Sequence, residues 1–139
     1  MFLIASNREK FTNAGVLPIV SEQNMVELCR DKYAFYHHMK RSGLPVLPSC
    51  LNLPEFQKHY EAGKINFPVF IKPVRGCGSI GIQKADNMEL LSVLCKYSSD
   101  DMLIQQFAEG EEYGVDLYVD LLSQEPVSIF TKSTRLNSS

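Results

Sequence analysis

No tryptophan, no C-x-x-C pair and no large surplus of either charge occur in this sequence. Fourteen basic against sixteen acidic side chains leave a formal charge of −2, so neither nucleic acid nor an anionic membrane surface is expected as a partner. No stretch approaches the roughly 20 apolar residues of a membrane-spanning helix. The opening "MFLIASNREKF" is briefly apolar but lacks a basic leader and a full apolar core, so no signal peptide is expected and cytoplasm is the default. Cys29, Cys50, Cys77 and Cys95 are widely spaced, and His37, His38 and His59 match no zinc spacing. Reduced thiols are the expectation.

What is present is apolar material for one ordinary domain, 45% of 139 residues, cut into short alternating pieces without internal repeats. "SNREKFTNAG" reads as a helix closing on Gly15, "VLPIV" as a short buried strand, and "EQNMVELCR" as a helix, together an α-β-α unit. Asp31 is an N-cap type of residue for a helix through "KYAFYHHMKRS" with Gly43 just past its end. Lys32 falls on the apolar face of Leu28, Phe35 and Met39, where a cation either snorkels or is aimed at an anion; pattern leaves both open. Pro54 suits a first helical turn, Phe56 and Tyr60 form an i, i+4 pair, and Gly63 ends that helix.

"FPVFIK" and "MLIQQF" read as strands, and Asp86 with Glu89 as a capping-box start for "NMELLSVLCKY". Tyr113, Val115, Leu117, Val119 and Leu121 alternate with Gly114, Asp116, Tyr118 and Asp120, the period of a strand with one buried face. "PVSIFTK" follows a polar turn at Ser123 to Glu125, which predicts an antiparallel hairpin. The fold class is α/β in content, α+β in its antiparallel second half.

Gly76-Cys77-Gly78-Ser79-Ile80-Gly81 spells G-x-G-x-x-G. A dinucleotide fingerprint places its glycines between a strand and a helix N-terminus, because free N–H groups there hold the pyrophosphate. Here "IQKA" reads as a strand and the helix starts later, while G-x-x-x-x-G-K-[ST] is absent. A strand-to-strand loop is the expectation, its backbone lying against phosphate oxygens with Lys72 and Arg75 beside it. A helix at residues 82 to 85 would restore the dinucleotide alternative.

"RDKYAFYHHMKRSGLPVLPS", "FPVFIKPVRGCGSIGI" and "LIQQFAEGEEYGVDLYVD" together resemble the ATP-binding part of ATP-grasp enzymes of the carbamoyl-phosphate synthase large-chain type, over about residues 13 to 130. The resemblance implies an ATP-grasp fold: an N-terminal lobe with the first strands of a C-terminal lobe. It implies residues 1–30 as the end of a preceding α/β unit, 31–110 as the small lobe and 111–132 as the first hairpin of the large lobe; residues 133–139, the polar "STRLNSS" that fits no strand or helix, read as a non-native or disordered tail. It further implies Lys32 and Lys72 as phosphate-binding cations, and Gly76, Cys77, Gly78, Ser79, Ile80 and Gly81 as a mobile loop over the phosphates. Gln105 stands where relatives often place a Glu toward the adenine amino group, and Gln106 and Phe107 would offer backbone hinge contacts. Glu112, with Glu111 second, matches the acidic residue on the ribose.

The implied activity of a parent protein is ATP-dependent ligation, in which a carboxylate or bicarbonate is phosphorylated and an amine or ammonia displaces phosphate. The cofactors implied are ATP and Mg2+. Relatives carry their magnesium ligands further downstream, so no catalytic residue or metal ligand is assigned here and the chain is expected to be an inactive fragment. A non-catalytic nucleotide-binding module on the same fold is the alternative.

Overall fold

The computed structural model describes residues 1–76, 78–98 and 101–133. They divide into two compact units, Met1–Ala108 and Glu109–Ser139. The first unit holds α1 (Phe2–Ala5), α2 (Arg8–Asn13), α3 (Gln23–Arg30), α4 (Lys32–Arg41), β1 (Ser49–Cys50), α5 (Leu53–Glu61), β2 (Val69–Pro73), β3 (Gln83–Ala85), α6 (Met88–Tyr97) and β4 (Met102–Gln106). The second is a hairpin of β5 (Tyr113–Val119) and β6 (Pro126–Ser133).

Short polar side chains start the three helices that frame the sheet. The Asp31 carboxylate accepts from the N–H groups of Tyr33 and Ala34 at 3.1 and 2.9 Å, opening α4 as the sequence predicts. Asn52 and Asn87 accept in the same way from Glu55 and Leu90, each at 2.9 Å. Such a cap is worth about 1 kcal/mol, because it satisfies donors that have no partner within the helix. Gly43, at φ 73°, takes the left-handed turn that stops α4. The cap of α6 is Asn87 and not the expected Asp86, whose carboxylate is drawn away to Lys84 at 3.0 Å.

Residues 16–20 are not the strand that their composition suggests. A strand exists by pairing, and this segment pairs with no described strand; Val16, Leu17 and Ile19 are 52%, 56% and 75% exposed. The Val20 N–H instead closes a local turn on the Pro18 carbonyl at 3.0 Å. The first 30 residues are therefore two short helices, a loop and a third helix, and lie in the same compact unit as residues 31–108.

The sheet of the first unit has the order β1-β4-β2-β3 with every pair antiparallel. Alternation along the strands sorts its side chains onto two faces. Cys50, Val69, Ile71, Ala85 and Ile104 turn to the face covered by α5 and α6, where they pack with Phe56, Ile65 and Leu91 into a fully buried core. The opposite face carries a row across all four strands, because Ser49 pairs with Gln105, Gln105 with Phe70, and Phe70 with Lys84. Lys72 lies two residues from Phe70 and so shares this second face.

The hairpin has the expected antiparallel pairing, with Val115 opposite Thr131 and Leu117 opposite Ile129. Its alternating apolar face is not buried: Tyr113, Val115 and Leu117 are 58%, 61% and 55% exposed. A two-stranded ribbon has no second layer of its own to cover one side.

Candidate functional site

The site is built where α4 begins, where β2 ends and where the loop from β2 to β3 turns. The Lys32 backbone N–H donates to the Val74 carbonyl at 3.1 Å, and Asp31 bridges Arg75. That fastens the first turn of α4 to the end of β2. The Lys32 ammonium then donates to the carbonyls of Pro73, Gly76 and Val74 at 2.9, 3.1 and 3.4 Å. The Lys32 ammonium thus reaches the backbone of the glycine segment, and its partners there are neutral carbonyls.

Lys72 approaches from the sheet. Its ammonium donates to Gln105 Oε1 at 2.7 Å, and Gln105 Nε2 donates to Ser49 Oγ at 3.0 Å. Burial, with the neighbouring charge of Lys32 second, holds the Lys72 ammonium below the ordinary lysine value of 10.5. The two cations, with Pro73, Gly76, Ser79, Ile80 and Ile82, line a small recess under the loop. Beside it lies a cavity of 230 Å³ whose lining includes Lys32, Lys72 and Gln105 together with apolar Phe35, Val46 and Leu47.

Among the described residues the ion pairs are Arg8 with Glu22, Arg75 with Asp31, and Lys84 with Asp86. Lys32 and Lys72 have carbonyl and amide oxygens for partners and no carboxylate. Two converging half-buried ammoniums repel one another, and a bound anion removes that cost. Arg75 differs: it stands at the loop mouth, its side chain 77% exposed, with its guanidinium 3.3 Å from Asp31. The Asp31 carboxyl is held below its ordinary value, first by the Ala34 N–H and then by Arg75 and the Tyr33 N–H, which together outweigh the opposing effect of burial.

The loop itself connects strand to strand, since residues 83–85 are β3. A helix N-terminus is absent at that place, which removes the dinucleotide alternative. Gly76, Gly78, Ser79 and Gly81 all have positive φ, between 58° and 133°, and Cys77 lies outside the described residues. Gly81 is doubly constrained, because a Cβ there would also stand 3.2 Å from Pro73 Cγ. Ile80, 80% exposed, tips the loop.

Gln106 and Phe107 are placed next to this face, but their N–H groups are already committed to Pro48 and Pro68 carbonyls at 2.9 and 3.1 Å. Gln106 Oε1 also accepts from the Asn66 N–H at 2.7 Å. The Gln106 and Phe107 N–H groups are thus not open for the hinge contacts that the resemblance implies. The Phe107 ring packs 5.4 Å from Phe70, with the Lys84 ammonium 5.3 Å from its centroid. Sequence reasoning missed Ser49, Phe70 and Lys84, whose membership depends on strand order. Glu112 precedes β5 in the second unit, as does Glu111, whose carboxylate accepts from the Tyr113 hydroxyl.

No described helix is long and apolar enough to cross a membrane. A family model described as an ATP-grasp domain matches residues 29–137. The chain is 24% identical over 111 residues to the carbamoyl phosphate synthase arginine-specific large chain of Halalkalibacterium halodurans, a match covering 77% of this chain and 11% of that protein. Its fold is similar to the VanG D-Ala:D-Ser ligase of Enterococcus faecalis, with TM-score 0.65 and 21% identity, over 91% of this chain and 37% of that one. It is also similar to the biotin carboxylase domain of the Hydrogenobacter thermophilus 2-oxoglutarate carboxylase, solved with MgADP, ADP and bicarbonate. That likeness has TM-score 0.58 and 25% identity over 82% of this chain and 28% of the other. The chain thus spans well under half the length of each of these relatives.

Proposed function

The chain belongs to the ATP-grasp family, and on that premise we propose that its Met1–Ala108 unit binds the phosphates and base of ATP on the sheet face bearing Lys72 and Gln105. One observation carries the reading: Lys32 and Lys72 converge on one recess under the glycine loop, held by neutral oxygens and paired with no carboxylate among the described residues. Lys32 and Lys72 hold phosphate oxygens, and the loop of residues 76–81 lies over them. The apolar cavity beside the lysines, with Gln105 on its wall, takes the base. Gln105 keeps an unused lone pair on Oε1 and so accepts from a base amino group while still orienting Lys72. Arg75 supplies charge at the loop mouth. Glu112 is assigned to the ribose hydroxyls by family resemblance alone.

For a protein carrying this chain, the reaction class we infer is activation of a carboxylate or bicarbonate by phosphoryl transfer, followed by displacement of phosphate by an amine or ammonia. Lysines placed before charge develops stabilise the transferring phosphoryl group without reorganising during the step. Magnesium needs clustered oxygen ligands. Among the described residues the only cluster of three or more candidate metal donors is Cys50, Glu55 and His59, of sulfur, carboxylate and imidazole, and it does not fit that ion.

Hydroxylamine trapping tests the reaction class. A protein containing this chain, given ATP, magnesium and a panel of carboxylates, is expected to form a hydroxamate with release of ADP. Release of AMP and pyrophosphate, or ATP binding with no turnover on any acceptor, contradicts the ligase reading; the second outcome leaves a nucleotide-binding module.

A further inference from the structure

We propose that Cys50, Glu55 and His59 form a binding site for a zinc-class divalent ion at the joint between β1 and α5, on the helix-covered side of the sheet. Cys50 ends β1, while Glu55 and His59 are four residues apart and so share one face of α5. Cys50 Sγ lies 3.2 Å from His59 Nδ1, and one donor atom from each of the three residues falls within 4.8 Å of the others. Bond lengths of about 2.0–2.3 Å place the ligand atoms of a tetrahedral zinc ion roughly 3.3–3.8 Å apart. The sulfur and nitrogen already stand near that spacing, and a Glu55 carboxylate oxygen lies within 4.8 Å of both.

The carboxylate is oriented as an outer shell orients a ligand. The Tyr33 hydroxyl donates to Glu55 Oε1 at 3.1 Å and the Leu51 N–H donates to Oε2 at 2.8 Å. Thiol and imidazole donors select zinc, cobalt and their neighbours over magnesium or calcium. Three protein ligands leave a fourth position for water. Cys50 is fully buried, and Glu55 and His59 are half-buried, so the ion reaches the thiol from the side of α5. On binding, the Cys50 S–H bond breaks and its proton leaves to solvent as the metal–sulfur bond forms. His59 contributes the Nδ1 lone pair and keeps its proton on Nε2. The spacing C-x4-E-x3-H belongs to no finger pattern, which is why sequence spacing overlooked it.

Cobalt chloride is the probe, added anaerobically to the whole chain. One equivalent is expected to produce a thiolate-to-cobalt charge-transfer absorption that zinc chloride then bleaches. The absorption is expected to vanish in Cys50→Ser and to persist in Cys29→Ser and Cys95→Ser. His59→Gln, at a half-buried position on α5, is expected to weaken cobalt binding by more than the roughly 10–100-fold that loss of an outer-shell partner costs. Its far-ultraviolet circular dichroism should remain that of the parent. No charge-transfer absorption, or one that survives both Cys50→Ser and His59→Gln, overturns the proposal.

Discussion

Lys72→Met is expected to weaken ATP binding roughly 10–100-fold, the worth of a charge-assisted hydrogen bond of about 1.5–3 kcal/mol, with the fold retained. Methionine matches the length and apolar stem of lysine but carries no charge, so the cavity wall is kept and the ammonium alone is removed. Calorimetric titration of ATP into the parent and variant measures the ratio. The same experiment has a pH signature. A bound polyphosphate favours the charged ammonium, and burial beside Lys32 already holds Lys72 below 10.5. Parent affinity is therefore expected to fall with rising pH before an ordinary lysine would titrate, and this fall should be absent in Lys72→Met. Stability of the free chain runs the other way. The folded state holds this proton less firmly than the unfolded one, so the cost is present below the folded value and is relieved as pH rises toward 10.5. Equal ATP affinity in the two chains at neutral pH would show that Lys72 holds no phosphate.

Phe56→Ala is expected to destabilise the first unit by about 3–5 kcal/mol, the usual cost of emptying a phenylalanine site in a core. Phe56 is fully buried, stacks on Tyr60 with ring centroids 5.9 Å apart, and meets Phe67 at 5.3 Å. It belongs to the same cluster as Val69, Ile71 and Ile104, so a cavity there loosens the contact of α5 with the two central strands. Against a total stability of about 5–15 kcal/mol for a domain of this size, the loss is large. Urea unfolding followed by circular dichroism should show a midpoint lowered by more than about 1 M. Leu122→Ala, at a hairpin tip 86% exposed, should change stability by no more than about 0.5 kcal/mol. A similar small change for Phe56→Ala would mean that the cluster is not the core of this unit.

The parts of the fold that were legible in the sequence are those set by neighbours along the chain. Asp31 and Gly43 bracket α4 because a cap and a left-handed stop act within one helical turn. Phe56 and Tyr60 meet because four residues make about one turn. The strand after the glycine loop was readable from its flanks, and that one element decides between a loop joining strands and a helix-end phosphate socket. Lys32 and Lys72 were identified through family resemblance, and their shared recess required the Lys32-to-loop contacts to become visible. What the sequence hid depends on partners elsewhere. Residues 16–20 have strand composition but no strand beside them. Asp86 and Asn87 are both good caps, and Lys84 decides between them. The row of Ser49, Gln105, Phe70 and Lys84 follows from the order β1-β4-β2-β3, which no periodicity encodes. The alternation of β5 announces an apolar face without saying what covers it.

ATP is proposed to lie on the lysine-bearing face of the sheet, beneath the glycine loop. Titrating unlabelled ATP into the isotope-labelled whole chain and following backbone amide shifts tests it most directly. The largest movements are expected at Lys32, Lys72, Gly76, residues 78–81 and Gln105, with α5 and α6 little changed. Shifts gathered on α5 and α6, or no movement of the loop and lysine amides at saturation, would contradict it.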